Sequence, residues 1–98
     1  SSENFQAVSN SLNTDYYSAV QLLRDAQRRL KLYEDQHVLA SKTLDIMLKS
    51  FSASTVSLTD VLRVRQQTLD YELKQVEAIT DLNTAIAWLN RLMATSEN

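Results

Sequence analysis

Few of the 98 residues have the type and spacing to do chemistry. His37 is the only histidine. A lone imidazole can bind a metal or carry a proton near neutral pH, but a metal site needs further ligands close by, and no second ligand type clusters with it. It falls on an apolar stripe, where packing is the expected role. Asp60 and Arg63 are three apart, directly after a run of small residues. An acid there suits the first turn of a helix, where the helix dipole favours it by about 0.3–1 kcal/mol. The pair could also neutralise itself at i,i+3 spacing. Arg24, Arg28, Arg29 and Lys31 form a basic group, but Asp25, Glu34 and Asp35 lie among them. Such mixed charge reads as a solvated face, not a nucleic-acid patch. No nucleophile–base pair, phosphate loop or paired-carboxylate site is readable, so no enzyme, metal or cofactor is expected.

The elements carrying these residues are announced by what is missing. There is no Gly, no Pro and no Cys. Gly and Pro normally punctuate turns, so very few turns are expected. Lack of Cys excludes disulfides and thiolate metal sites and leaves the compartment open. A formal net charge of −2 gives no electrostatic reason to expect nucleic acid. No apolar run approaches the roughly 18 residues of a membrane-spanning helix, and no signal peptide is visible. The sequence begins Ser1-Ser2-Glu3, and a processed chain or a piece of a longer protein is expected.

Periodicity then defines two helices. Tyr16, Leu23, Leu30, His37, Leu44 and Phe51 recur every seven residues, interleaved with Phe5, Leu12, Ala19, Ala26, Tyr33, Ala40 and Met47. This 3-4 spacing is the a/d pattern of a coiled coil, and it predicts a first helix over about 3–52, roughly 70 Å long at about 1.5 Å per residue. Leu32, Leu39 and Ile46 form a second row off that seam, and Leu22, Val38 and Leu48 widen it. In the second half, Val61, Val64, Tyr71, Ala78, Leu82, Ala85, Leu89 and Leu92 form a seam broken by Thr68 and Gln75. Leu58, Leu62, Leu69, Val76, Ile79, Ile86 and Met93 run beside it. A polar row follows Asp60, Arg63, Gln67, Asp70, Lys74, Glu77 and Asp81, with Asp70–Lys74 a favourable i,i+4 pair. The second helix is expected over about 58–94, with Thr95 to Asn98 fraying.

Between them lies Ser52-Ala53-Ser54-Thr55-Val56-Ser57, a poor helix segment. Ser57 with Asp60 has N-cap spacing, close to a capping box, and Val56 with Val61 has that of a hydrophobic staple. Without Gly, a residue such as Ser54 must take the left-handed conformation. The short turn, about 53–57, forces the helices antiparallel. The expected fold is all-α, a long two-helix coiled-coil hairpin. Its core is thin, and apolar surface is left over on both helices, so association is expected, with copies of itself or with other parts of its parent.

The stretch from Leu44 through Phe51-Ser52-Ala53-Ser54-Thr55-Val56-Ser57-Leu58-Thr59-Asp60-Val61-Leu62 to Gln66 resembles the periplasmic hairpin tip of TolC-like outer membrane efflux proteins. Those show an aromatic residue, a small-residue turn with Gly, then a hydrophobic-x-Asp-Val-Leu run. The specific part of the likeness is about a dozen residues around the tip. It implies a trimeric conduit in which an outer membrane β-barrel continues as a periplasmic α-helical barrel, this chain being one hairpin of that barrel. It implies that Ser54, Thr55, Val56 and Ser57 meet a periplasmic adaptor protein, and that Asp60 and Arg63 lie at the channel constriction. Arg63 stands where family members often have a second acid, Ser54 where they have Gly, and Val56 where they have a basic residue. The alternative is a free-standing coiled-coil module that self-associates or acts as a scaffold. A lipid-surface helix fits badly, because the polar face is mixed in sign.

Overall fold

The computed structural model describes residues 2–97. It is an all-α helical hairpin of two helices, α1 (Ser2–Ser52) and α2 (Leu58–Glu97), with no strand among the described residues. The chain divides into two units. One runs from Arg29 to Ala78 and contains the turn. The other joins α1 up to Arg28 with α2 from Ile79 onward.

In the turn unit the helices are antiparallel and share a seam. Ala40, Val61, Thr68 and Ala78 are buried along it, while Leu30, Tyr33, His37, Leu44, Met47, Val64 and Tyr71 are half-buried. The register brings Glu72 to His37, with Nε2 and Oε1 3.0 Å apart. It also sets the Lys74 ammonium 5.5 Å from the centre of the Tyr33 ring. That register puts Ala40 level with Thr68 and Ala78 level with Leu30. Thr68, the polar break in the second seam, is accommodated because its hydroxyl donates to the Val64 carbonyl at 3.0 Å. A buried hydroxyl without such a partner would be costly.

In the other unit Ala19, Ala26 and Ala85 are fully buried, and Leu12, Leu23, Leu82, Leu89 and Leu92 are half-buried. The seam therefore forms as its periodicity predicts, but its ends do not close. Phe5 is 74 % exposed and Tyr16 51 %. Two helices meet along one line, so a large side chain at a seam position keeps one edge in water. Only small residues disappear completely.

Three local expectations are corrected. Asp70 and Lys74 do not pair: Asp70 accepts from Gln66 at 3.1 Å, and Lys74 turns to the Tyr33 face. The second helix runs past its expected end near residue 94. The helix continues to Glu97, with the Thr95 hydroxyl donating to the Arg91 carbonyl and the Ser96 hydroxyl to that of Met93. Asn98 lies outside the described residues. The capping box is incomplete, as the tip geometry makes plain.

Candidate functional site

The tip is built by the ends of both helices. α1 stops at Ser52 because three hydrogen bonds wrap its last turn. Ala53 N–H donates to the Ser50 carbonyl at 3.1 Å, Ser54 N–H to Phe51 at 2.9 Å and Thr55 N–H to Ser50 at 3.0 Å. The last two are the paired bonds of a Schellman motif, which needs a left-handed residue between them. That residue is Ser54, with φ 62°. A Cβ in this region costs roughly 1–2 kcal/mol. The Thr55 hydroxyl adds a bond to the Ser50 carbonyl at 2.9 Å, and it stands where this motif usually has an apolar contact.

α2 starts on Ser57. Its hydroxyl accepts from Asp60 N–H at 3.2 Å, and its carbonyl accepts the first helical bond, from Val61 N–H, at 3.2 Å. Ser57 is thus the N-cap the sequence predicts. Val56 is half-buried and Val61 buried, as a staple requires. The Asp60 carboxylate does not reach back to close the box. It pairs with Arg63 one turn on. On the other side of the tip, Lys49 pairs with Asp45 at 3.1 Å.

Ser54, Thr55 and Ser57 are exposed together, and Val56 sits between them. Phe51, at 42 %, and Leu58, at 55 %, are exposed at the two shoulders. The tip is a preformed knob of hydroxyls and apolar groups whose nearest charges are each paired within their own helix. No cluster of metal-binding side chains occurs among the described residues.

His37 has a partner that heptad reading of α1 alone did not reveal. Glu72 lies beside the second seam, and only the register between helices brings it to the imidazole. The basic group on α1 is solvated and mixed, as expected: Arg28 pairs with Asp25, and Lys31 with Asp35 at 3.1 Å.

The chain matches no family model, no curated protein and no solved structure. No helix among the described residues is long and apolar enough to cross a membrane.

Proposed function

We propose that this hairpin is a periplasmic helical segment of an outer membrane efflux or secretion channel, whose tip docks onto a periplasmic adaptor protein. The reading starts from the tip likeness, and one observation carries it furthest. Ser54 adopts the left-handed conformation at the position where the family has Gly. The chain thus places Ser54, at a steric cost, where that family has Gly, and the knob this creates is exposed and closed by backbone hydrogen bonds.

In this reading Ser54, Thr55, Val56 and Ser57 contact the adaptor, and Asp60 and Arg63 lie where the channel narrows. The Asp60–Arg63 pair weakens a purely acidic gate, because each carboxylate has a cation beside it. Transport through such a segment is passive, with helices spreading at the tip, and energy comes from an inner-membrane partner. The parent would be a trimer. A self-associating scaffold is the second reading; the exposed apolar rows on both helices favour it without requiring a channel.

The test uses a photocrosslinker at Ser54 or Thr55 in the full-length parent. Capture of an adaptor is expected. Efficient crosslinks from other surface positions with none from the tip would sink the docking role. Single-channel recordings test the constriction: Arg63→Ala should raise cation selectivity by freeing Asp60, and unchanged selectivity would return Asp60 to a capping role alone.

A further inference from the structure

We propose that His37 and Glu72 form an acid-strengthened clasp across the turn unit, which makes its two helices harder to separate in mildly acid than in alkaline solution. His37 Nε2 lies 3.0 Å from Glu72 Oε1, on the facing helix. The two residues are 35 apart in the chain, so only the folded hairpin brings them together. The pairs Arg28–Asp25, Lys31–Asp35, Lys49–Asp45 and Arg63–Asp60 differ in kind: each joins neighbours within one helix and does nothing to hold one helix against the other.

The charged groups around the imidazole favour a proton on it. On α1, Glu34 precedes His37 by three residues, the spacing of neighbours on one helix face. Lys31, six residues back, is held by Asp35. On α2, Glu72 faces the ring, and the seam neighbours Tyr71 and Gln75 bring no charge near neutral pH. Lys74 lies over the Tyr33 ring on the other flank. Arg65 is seven residues from Glu72 toward the tip, about 10 Å along the helix. A charged ring thus gains the carboxylate it touches and a second one a turn away. A neutral ring keeps only an ordinary hydrogen bond, and one between charged partners is roughly twice as strong.

The sign follows from the unfolded chain, in which no carboxylate is fixed across from His37. Folding therefore favours the charged ring, and stability rises as the ring binds its proton. The gain is present below the ordinary imidazole range near about pH 6.5 and above the ordinary carboxylate range near about pH 4, and it is lost in alkaline solution. His37 is 27 % exposed and Glu72 50 %, so water screens the pair and the effect is modest. His37 is also the only histidine, and there is no cysteine. No other side chain of this sequence ordinarily titrates between about pH 5.5 and about pH 8, so the clasp can be read without interference from a second side chain.

The clasp does not rest on the tip reading, since crosslinking reports on the tip and unfolding on the seam. The experiment unfolds the full chain in urea at about pH 5.5 and about pH 8, at one chain concentration, alongside His37→Gln, Glu72→Gln and the double variant. Both positions are partly exposed and Gln is a good helix former, so the variants should fold. The unmodified chain should have the higher urea midpoint at the acid pH, by a few tenths of a molar. Each single variant should lose most of that difference. The double-mutant cycle should show a coupling between the two positions that is larger at the acid pH. Equal midpoints at the two pH values, or a lower one in acid, would overturn the proposal. So would a difference that survives in His37→Gln or Glu72→Gln, or a coupling of the same size at both pH values, which would leave the contact a neutral hydrogen bond.

Discussion

Ser54 is held left-handed by bonds on either side of it, Ser54 N–H to Phe51 and Thr55 N–H to Ser50. These bonds satisfy carbonyls that every helix end leaves open, so the turn retains its shape although its residue is sterically disfavoured there. Gly would remove the Cβ clash, partly offset by the greater freedom of the unfolded chain. Ser54→Gly should therefore stabilise the hairpin by about 0.5–1 kcal/mol, read as a higher urea midpoint with an unchanged slope. A lower midpoint would mean that the serine hydroxyl contributes something the backbone geometry does not explain. The ion pairs nearby are weaker candidates for such leverage. Lys49–Asp45 and Arg63–Asp60 are solvent-exposed pairs within one helix, a class typically worth a few tenths of a kcal/mol.

At the scale of the helix pair, closeness depends on alanine. Ala78 is fully buried and level with Leu30, so a small residue on one helix admits a large one from the other. Ala78→Leu should cost about 1–3 kcal/mol by overpacking, measured by chemical denaturation, whereas Ala87→Leu on the exposed face should be near neutral. Equal effects at the two positions would mean that the seam is not close-packed. This level of organisation was readable from residue order. The seven-residue spacing gave both helices, Ser57 gave the start of α2, and the missing Gly pointed to Ser54. What stayed hidden depended on register. His37 gained Glu72, and Lys74 exchanged Asp70 for Tyr33, because heptad spacing fixes which face a residue occupies but not which turn of the opposite helix stands across from it. Burial was hidden for a related reason. Phe5 and Tyr16 share the seam spacing with Ala19, yet only the alanine is small enough for two helices to cover. The tip's conformation was legible from its residues; a docking or channel role came only from the family likeness, since exposed serines carry no chemistry that names a partner.

For the whole molecule, the balance between covered and uncovered apolar surface governs stability. Among the described residues the buried set is five alanines, Val61 and Thr68, while Leu39, Ile46, Leu62, Leu69 and fourteen other large apolar or aromatic side chains stay exposed. Burying a large aliphatic side chain stabilises by about 1.5–3 kcal/mol, and small chains have little margin beyond the entropy of ordering. Much of the available hydrophobic stabilisation therefore lies outside the single chain, and folding should be linked to association. Anything that binds only the folded state raises its apparent stability by mass action, and a second copy does so in proportion to the logarithm of concentration. For a chain that self-associates, a tenfold rise in chain concentration adds up to about 1.4 kcal/mol per copy. At about 4–8 °C per kcal/mol for a chain of this size, Tm should climb by up to roughly 6–11 °C between dilute and tenfold more concentrated samples. Leu39→Asp places a charge in an exposed apolar row without touching the seam, so its Tm should depend less on concentration. It should match the unmodified chain only in the dilute limit. A concentration-independent Tm for the unmodified chain would place all of its stability in the seam of buried alanines and half-covered leucines, and the exposed rows would then have no part in holding the fold together.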